Sequence, residues 1–181
     1  PTHFLGDGYL QIANLASKTG VVHKWSEKGI TILAEMIQTL LGGKNEYTAI
    51  TAFQLLSFLT GLISINFYFL IADNLSENKG LKTLTFCVLL FSGTLLLFFG
   101  YVESYPLIWI SLTGFTYFNL RCLQKGRGWF YPLLFLIFGL FIHLQMALLI
   151  PAFIFIIFCK GWGYKIFSRF KPVIIGFALL I

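Results

Sequence analysis

Long stretches without a charged residue limit what this chain can fold into. A helix that spans a membrane needs about 20 apolar residues. Of four such stretches, taken in chain order, the first two each fit one crossing and the third fits a short one. The fourth is too long for one straight helix, and none alternates with the period of two expected of strands. The sequence therefore predicts an all-α fold, a polytopic transmembrane helical bundle. The stretches lie between Glu46 and Asp73, between Lys82 and Glu103, between Glu103 and Arg121, and between Arg127 and Lys160.

Both ends of the sequence suggest a segment of a larger membrane protein. The chain starts at Pro1 without an initiator Met, and an apolar run that begins at Pro172 stops at Ile181. We therefore expect a single membrane domain that is incomplete at both ends. Its parts are an external loop over residues 1–46 and a transmembrane region over residues 47–181, with about five to six segments of which the last is truncated.

Charge placement predicts which side of the membrane each loop faces. Segments 121–127 and 160–171 carry three and four basic residues and no acid. Basic loops stay on the cytoplasmic side, so an even number of crossings separates these two, and the basic excess needs no nucleic-acid partner. The apolar run between them then turns back, as two short helices at about 130–142 and 146–158 that meet near His143 on the outer face. The alternative is one tilted helix of about 30 residues, which would put the second basic loop outside.

Counting the crossings backwards places the candidate functional residues on one side. Glu103 falls in an external turn, the first 46 residues are external, and Asp7 therefore shares its side with Glu103 and His143. This shared sidedness depends only on charge counts.

The external loop is predicted to contain helices that lie along the membrane interface. From Ile30 to Leu41 apolar residues recur at helical spacing, with Thr31, Glu35 and Gln38 on the other face, and Gly42 and Gly43 end the pattern. A weaker helix is expected from about Tyr9 to Lys18. Amphipathic helices beside a membrane span are typical of the interface.

Two isolated acids are the candidate catalytic groups. Asp7 stands between Gly6 and Gly8, where a ligand can approach the backbone closely; the alternative is an ordinary turn with a solvated carboxylate. Glu103 stands in a tight external connection just before Pro106, which begins the next helix. Its alternative role is to interact favourably with the dipole of that helix.

Three further residues are predicted to contact substrate near the same surface. His143 lies in an apolar context at the outer apex, where it either receives an anionic group or bonds to a neighbouring helix. Gln145 belongs to the same apex. Tyr105 either contacts substrate or belongs to the aromatic belt at the interface.

These features together resemble the glycosyltransferase-C superfamily. They are an acid in the first external loop (Asp7), interfacial helices in that loop, an acid in the next external turn (Glu103), and a later His followed by Pro (His143, Pro151). The pattern is most similar to the protein-mannosyltransferase-like and aminoarabinose-transferase-like membrane enzymes. The resemblance implies sugar transfer from a polyprenyl-phosphate donor to a hydroxyl of a glycan, lipid or protein acceptor. Asp7 would be the catalytic carboxylate and Glu103 the second acid.

The sequence also departs from that family pattern. Asp7 has no adjacent acid where many members have two, and Glu103 is single where oligosaccharyltransferase-type members have a pair. The ligands of a metal are therefore unknown, and the sequence leaves open whether a divalent cation takes part. The resemblance implies an integral protein of the bacterial inner membrane with an outward-facing site. The alternatives are a transporter or flippase of lipid-linked or small polar substrates, and a structural membrane subunit.

Overall fold

The computed structural model describes residues 8–92, 102–103 and 105–159 of the chain. These residues contain seven α-helices and two short 3-10 helices. No strand occurs among these residues, so the predicted all-α class is confirmed. The 3-10 helices are Trp25–Glu27 and Leu144–Leu149. The α-helices are α1 (Gly8–Leu15), α2 (Lys28–Leu40), α3 (Glu46–Leu75), α4 (Lys79–Phe91), α5 (Tyr105–Lys125), α6 (Phe130–Ile142) and α7 (Ile150–Cys159).

The longest helix, α3, is fixed at its start by a reciprocal cap. The Asn45 side chain accepts a hydrogen bond from the Thr48 backbone N–H at 2.9 Å, and the Thr48 hydroxyl accepts one from the Asn45 N–H at 3.3 Å. The turn before it uses Gly42 at φ 88°, a left-handed conformation that favours glycine. These residues end α2 and start α3 where the sequence predicted a boundary.

Among the described residues, α3 alone is both long and apolar enough to cross a membrane. The segments Phe130–Ile142 and Leu144–Phe158 are apolar but shorter. Helix α5 has 21 residues, but its last two turns carry Asn119, Arg121 and Lys125. Helix α4 is described over 13 residues, and the rest of its predicted crossing lies outside the described part of the chain.

Helices α3 and α5 run side by side in the same direction. The rings of Phe67 and Tyr117 lie 5.9 Å apart, and further along both helices the Gln124 side chain donates to the Asn74 carbonyl at 3.2 Å. Helix α6 packs antiparallel to α5. Gly114 of α5 lies under the Phe135 ring of α6, and Ser111, earlier on α5, lies against Gly139, later on α6. The glycines allow this close helix packing because a side chain at either would meet its neighbour.

The bundle has two chemically different ends. At one end, which we call the His143 end, the starts of α3 and α5 meet α1, α2 and the end of α6. A single apolar cluster holds them together: Ile12, Leu15, Ile30, Ala34, Ala49, Ala52, Phe53, Leu56, Val102, Leu107 and Ile142. At the other, the Arg121 end, the end of α3 meets the basic end of α5 around Ile71, Leu75 and Leu120, and the start of α4 lies beside the end of α3, where Lys82 pairs with Asp73.

The chain turns back at His143, so the single long helix over 129–159 is not formed. His143 has extended backbone angles (φ −154°, ψ 131°), and Met146 folds back over Gly139 of α6. Phe153 of α7 then packs with Phe115 and Leu136. The second helix starts at Ile150 instead of 146, because residues 144–149 form the tighter 3-10 helix and Pro151 suits the first α-helical turn.

Two residues of the predicted polar face of α2 are buried. Thr31 and Gln38 are 3% and 0% exposed, while Ile30, Leu33 and Ile37 of the predicted apolar face also pack against the apolar cluster. The Gln38 side chain donates to the Asn45 carbonyl and the Thr48 hydroxyl at 3.2 and 3.3 Å. These bonds let α2 pack against α3 through a partly polar face, which apolar periodicity alone does not reveal.

Candidate functional site

The imidazole of His143 is held in a fixed orientation at the end of α6. Its backbone N–H donates to the Gly139 carbonyl at 2.8 Å, which completes the helix. Its Nδ1 accepts the Gln145 backbone N–H at 3.1 Å, so the side chain caps the 3-10 helix that follows. The residue is 7% exposed. Because Nδ1 is engaged in this bond, Nε2 is the ring nitrogen that is available to a neighbouring side chain.

The partner of that Nε2 is Glu27. Its Oε1 lies 3.7 Å from His143 Nε2, and its Oε2 accepts a hydrogen bond from Gln11 Nε2 at 2.8 Å. Glu27 ends the 3-10 turn before α2, and the Thr31 hydroxyl donates to its carbonyl at 3.2 Å. Three separate segments of sequence thus contribute Gln11, Glu27 and His143 to one polar row.

A glycine makes the approach of these segments possible. A Cβ built on Gly29 would lie 2.3 Å from the carbonyl oxygen of Phe141. Only a residue without a side chain allows the first turn of α2 to pass so close to the last turn of α6. This contact brings Glu27, two residues before Gly29, to His143, two residues after Phe141.

The hydrogen bonds indicate which ring nitrogen of His143 carries the proton. Because Nδ1 of His143 accepts a bond, it carries no proton, and the neutral ring is the Nε2–H tautomer. That N–H faces the Glu27 carboxylate, and Gln11 donates to the other carboxylate oxygen. A carboxylate beside an imidazole can orient the ring, hold a proton and stabilise an imidazolium if one forms.

Tyr105 contacts this row, and Glu103 lies two residues before Tyr105 in the chain. The Tyr105 ring stacks on the His143 ring with centroids 6.4 Å apart and an interplanar angle of 29°. Glu103 is 4% exposed, beside Val102 in the apolar cluster. Two residues of chain span at most about 7 Å, so the Glu103 backbone lies that close to the backbone of Tyr105.

The sequence-predicted residues are only partly brought together. His143, Tyr105 and the Gln145 backbone are in contact, although the Gln145 side chain is exposed. Glu103 lies in the adjoining turn. Asp7 is outside the described residues, and the nearest described residue, Gly8, begins α1 at the same end of the bundle.

Glu27 and Gln11 were missed by the sequence reasoning. Glu27 sits in a polar segment among Lys24 and Lys28, where one more charge carries no pattern. The one available signal was its position directly before the amphipathic helix. Gln11 belongs to the weakly periodic α1, and only the fold shows that it is buried.

An open cleft of about 220 Å³ lies beside the row, between α1 and α2. Its wall is fixed by Asn14, whose side chain donates to the Val22 carbonyl at 2.9 Å and accepts the Val22 N–H at 2.8 Å. The cleft is lined by Leu10, Gln11, Asn14, Val22, Lys24, Glu27 and Thr31.

Glu35 is a local acidic partner for two side chains nearby. Its carboxylate oxygens lie 2.9 Å from Lys44 Nζ and 3.4 Å from His23 Nε2. Within the described residues, no group of three or more His, Cys, Asp or Glu side chains is placed to hold a metal ion.

Comparison of the chain with protein-family models, curated proteins and solved structures found no match.

Proposed function

We propose that this chain is part of an integral membrane glycosyltransferase that moves a sugar from a polyprenyl-phosphate donor to an acceptor hydroxyl at the His143 end. One observation carries the proposal. The Glu27 carboxylate, the His143 imidazole and the Tyr105 ring lie together at the end of the bundle where Glu103 is buried, and the segment that follows Asp7 starts at that end.

The charge distribution supports a polytopic arrangement with this end outside the cytosol. Lys79, Lys82, Arg121 and Lys125 belong to the starts and ends of helices at the Arg121 end, as basic residues of cytoplasmic loops do. Helix α3, at 30 residues, is about 45 Å long, so it exceeds the hydrocarbon thickness of about 30 Å. Its first turns therefore extend into the interface, where α1 and α2 pack against them.

Exposed aromatic side chains support a position across the membrane. Tyr9, Trp25 and Tyr47 are exposed at the His143 end, and Trp129 and Tyr131 are exposed at the Arg121 end. Rings with one polar edge are enriched at the boundary between lipid and water. A lipid-linked sugar presents its phosphate and its anomeric carbon at that boundary.

The proposed reaction is a single displacement at the anomeric carbon. Asp7, assisted by Glu103, takes the proton from the acceptor hydroxyl as its oxygen bonds to the anomeric carbon. The bond from that carbon to the phosphate oxygen breaks on the opposite face, and the lipid phosphate leaves with the electron pair, which inverts the configuration. His143, Tyr105 and Gln145 contact the donor, and protonated His143 would compensate the negative charge of the phosphate.

As such an enzyme, the protein lies in the bacterial cytoplasmic membrane, with its site facing outward. The acceptor is a glycan, a lipid or a protein.

Sugar transfer by the full-length protein tests the proposal. With polyprenyl-phosphate-linked sugars in membranes, we expect Asp7→Asn to lower turnover by about 100-fold or more, the typical contribution of a positioned general base. Asp73→Asn, the same change at the exposed Arg121 end, is the matched control and should retain transfer. Undiminished transfer by Asp7→Asn would contradict the assigned base. Substrate uptake without any transfer would favour the transporter.

A further inference from the structure

We infer that the cleft between α1 and α2 binds one uncharged, sugar-sized polyhydroxyl group. The size of the cleft sets the first limit. At about 220 Å³ it is smaller than the pockets of roughly 300–1,000 Å³ that enclose drug-sized ligands. A single sugar ring is a ligand of suitable size, whereas a lipid chain or a folded partner is not.

The charges in the cleft select a neutral ligand. Glu27 and Lys24 both line it, so their opposite charges largely cancel and the cleft offers an anion or a cation no net attraction. A sugar hydroxyl both donates and accepts, and so can bond to a carboxylate, an ammonium and a carboxamide alike.

The walls of the cleft are formed before a ligand arrives. Gln11 is 6% exposed, and its side-chain amide is held by its bond to Glu27. The paired hydrogen bonds between Asn14 and the Val22 backbone fix the opposite wall. Preformed walls lower the entropic cost of binding a small ligand. Leu10 and Val22 add apolar surface against which the C–H face of a sugar ring can pack.

Glu27 joins this cleft to the His143 row. One of its carboxylate oxygens faces His143 Nε2, while the residue also lines the cleft. A hydroxyl that bonds to Glu27 is therefore held next to the imidazole. In this one respect the inference rests on the proposed function: the bound ring is the acceptor's sugar, and the donor occupies the side of Tyr105 and Glu103.

Binding of simple neutral glycosides tests the inference without any transfer. Saturation-transfer NMR on the full-length protein in nanodiscs would use the methyl glycosides of glucose, galactose, mannose and N-acetylglucosamine, with methyl phosphate as the anion. At least one glycoside should receive saturation that Val22→Trp reduces, whereas any saturation of methyl phosphate, which belongs to the donor's side, should be the same in Val22→Trp and in the unsubstituted protein. If no glycoside binds, or if Val22→Trp reduces the saturation of methyl phosphate instead of that of a glycoside, the inference is overturned.

A matched pair of variants locates the binding. Val22 is 68% exposed on the cleft and Leu40 is 85% exposed away from it, so tryptophan at either position disturbs the fold little. Val22→Trp should weaken glycoside binding by about tenfold or more, since it fills the cleft, whereas Leu40→Trp should not. Equal binding by the two variants would overturn the inference. Glu27→Gln should weaken binding by a similar factor, because a charged acceptor is lost.

Failure of this inference is distinguishable from failure of the proposed function. If the protein has no transfer activity but binds a glycoside and loses that binding in Val22→Trp, the cleft assignment stands and the transferase proposal is wrong. If the protein transfers sugar and Val22→Trp leaves the KM for the acceptor unchanged, the transferase proposal stands and the cleft assignment is wrong. If both are correct, Val22→Trp should raise the KM for the acceptor and leave the KM for the donor unchanged.

Discussion

The carboxylate of Glu27 and the imidazole of His143 lie 3.7 Å apart at the end of the helical bundle where α2 meets α6. Each is held from its other side, Glu27 by the Gln11 amide and His143 by the Gln145 backbone N–H. The imidazole is therefore oriented toward the acid, with Tyr105 stacked on its face.

The protonation pattern of the His143 ring is the first prediction. Nδ1 accepts the Gln145 N–H, so the neutral ring must carry its proton on Nε2. Nitrogen-15 NMR of histidine-labelled protein should show the Nε2–H tautomer for the signal that His143→Asn removes. A neutral ring protonated at Nδ1 would contradict the observed capping bond.

A methyl group at Gly29 should separate α2 from α6. The added Cβ would meet the Phe141 carbonyl, which is backbone and cannot rotate away. Gly29→Ala should therefore lower the free energy of unfolding in detergent by about 1–3 kcal/mol, the usual cost of overpacking. Gly80→Ala is the control, because its Cβ would meet only the Asn78 side chain, at 3.3 Å. Equal stability of the two variants would argue against the close approach.

The Thr48 hydroxyl should stabilise the junction of α2 and α3. It lies 2.6 Å from the Gly43 carbonyl and 3.3 Å from the Gln38 amide, and it completes the cap with Asn45. Thr48→Val should cost about 1–3 kcal/mol, since buried polar groups lose their partner. Thr51→Val, which removes only a bond to the Tyr47 carbonyl, should change stability by less than about 0.5 kcal/mol. Chemical unfolding in detergent measures both, and equal losses would contradict the assigned role.

The two ends of the bundle should lie on opposite sides of the membrane. With Cys87, Cys122 and Cys159 replaced by Ser, a membrane-impermeant maleimide applied to intact cells should label Lys18→Cys and Gln145→Cys. Glu77→Cys and Lys125→Cys, at the Arg121 end, should react only after the membrane is opened. All four positions are exposed, so access to the reagent decides the result. Labelling of Gln145→Cys and Lys125→Cys from the same side would contradict the topology.

Charge-free stretches and capping signals predicted much of the fold, because each acts locally. The uncharged run before Asp73 and the glycines at 42 and 43 marked the helix boundaries, and His143 marked the reversal between α6 and α7. The burial of Gln38 was not predicted, because its side-chain nitrogen bonds to Asn45 and Thr48 at the start of α3, and a periodic pattern within α2 does not reveal such contacts.

The candidate site was less predictable than the fold. His143 and Glu103 stood out because they are isolated in apolar surroundings. Glu27 stood among other charges, and its importance comes from a tertiary contact that depends on the absence of a side chain at Gly29. A single sequence does not reveal which of several surface acids a distant helix will approach.

Sugar transfer by a Glu103→Gln variant of the full-length protein tests the central claim most directly. Glutamine keeps the shape of this buried side chain but cannot act as an acid or a base. We expect a loss in kcat of about 100-fold or more, whereas Glu77→Gln, an exposed change at the Arg121 end, should stay within about twofold of wild type. Transfer by Glu103→Gln at the wild-type rate would contradict the claim that the Glu103 carboxyl group at the His143 end takes part in the chemistry.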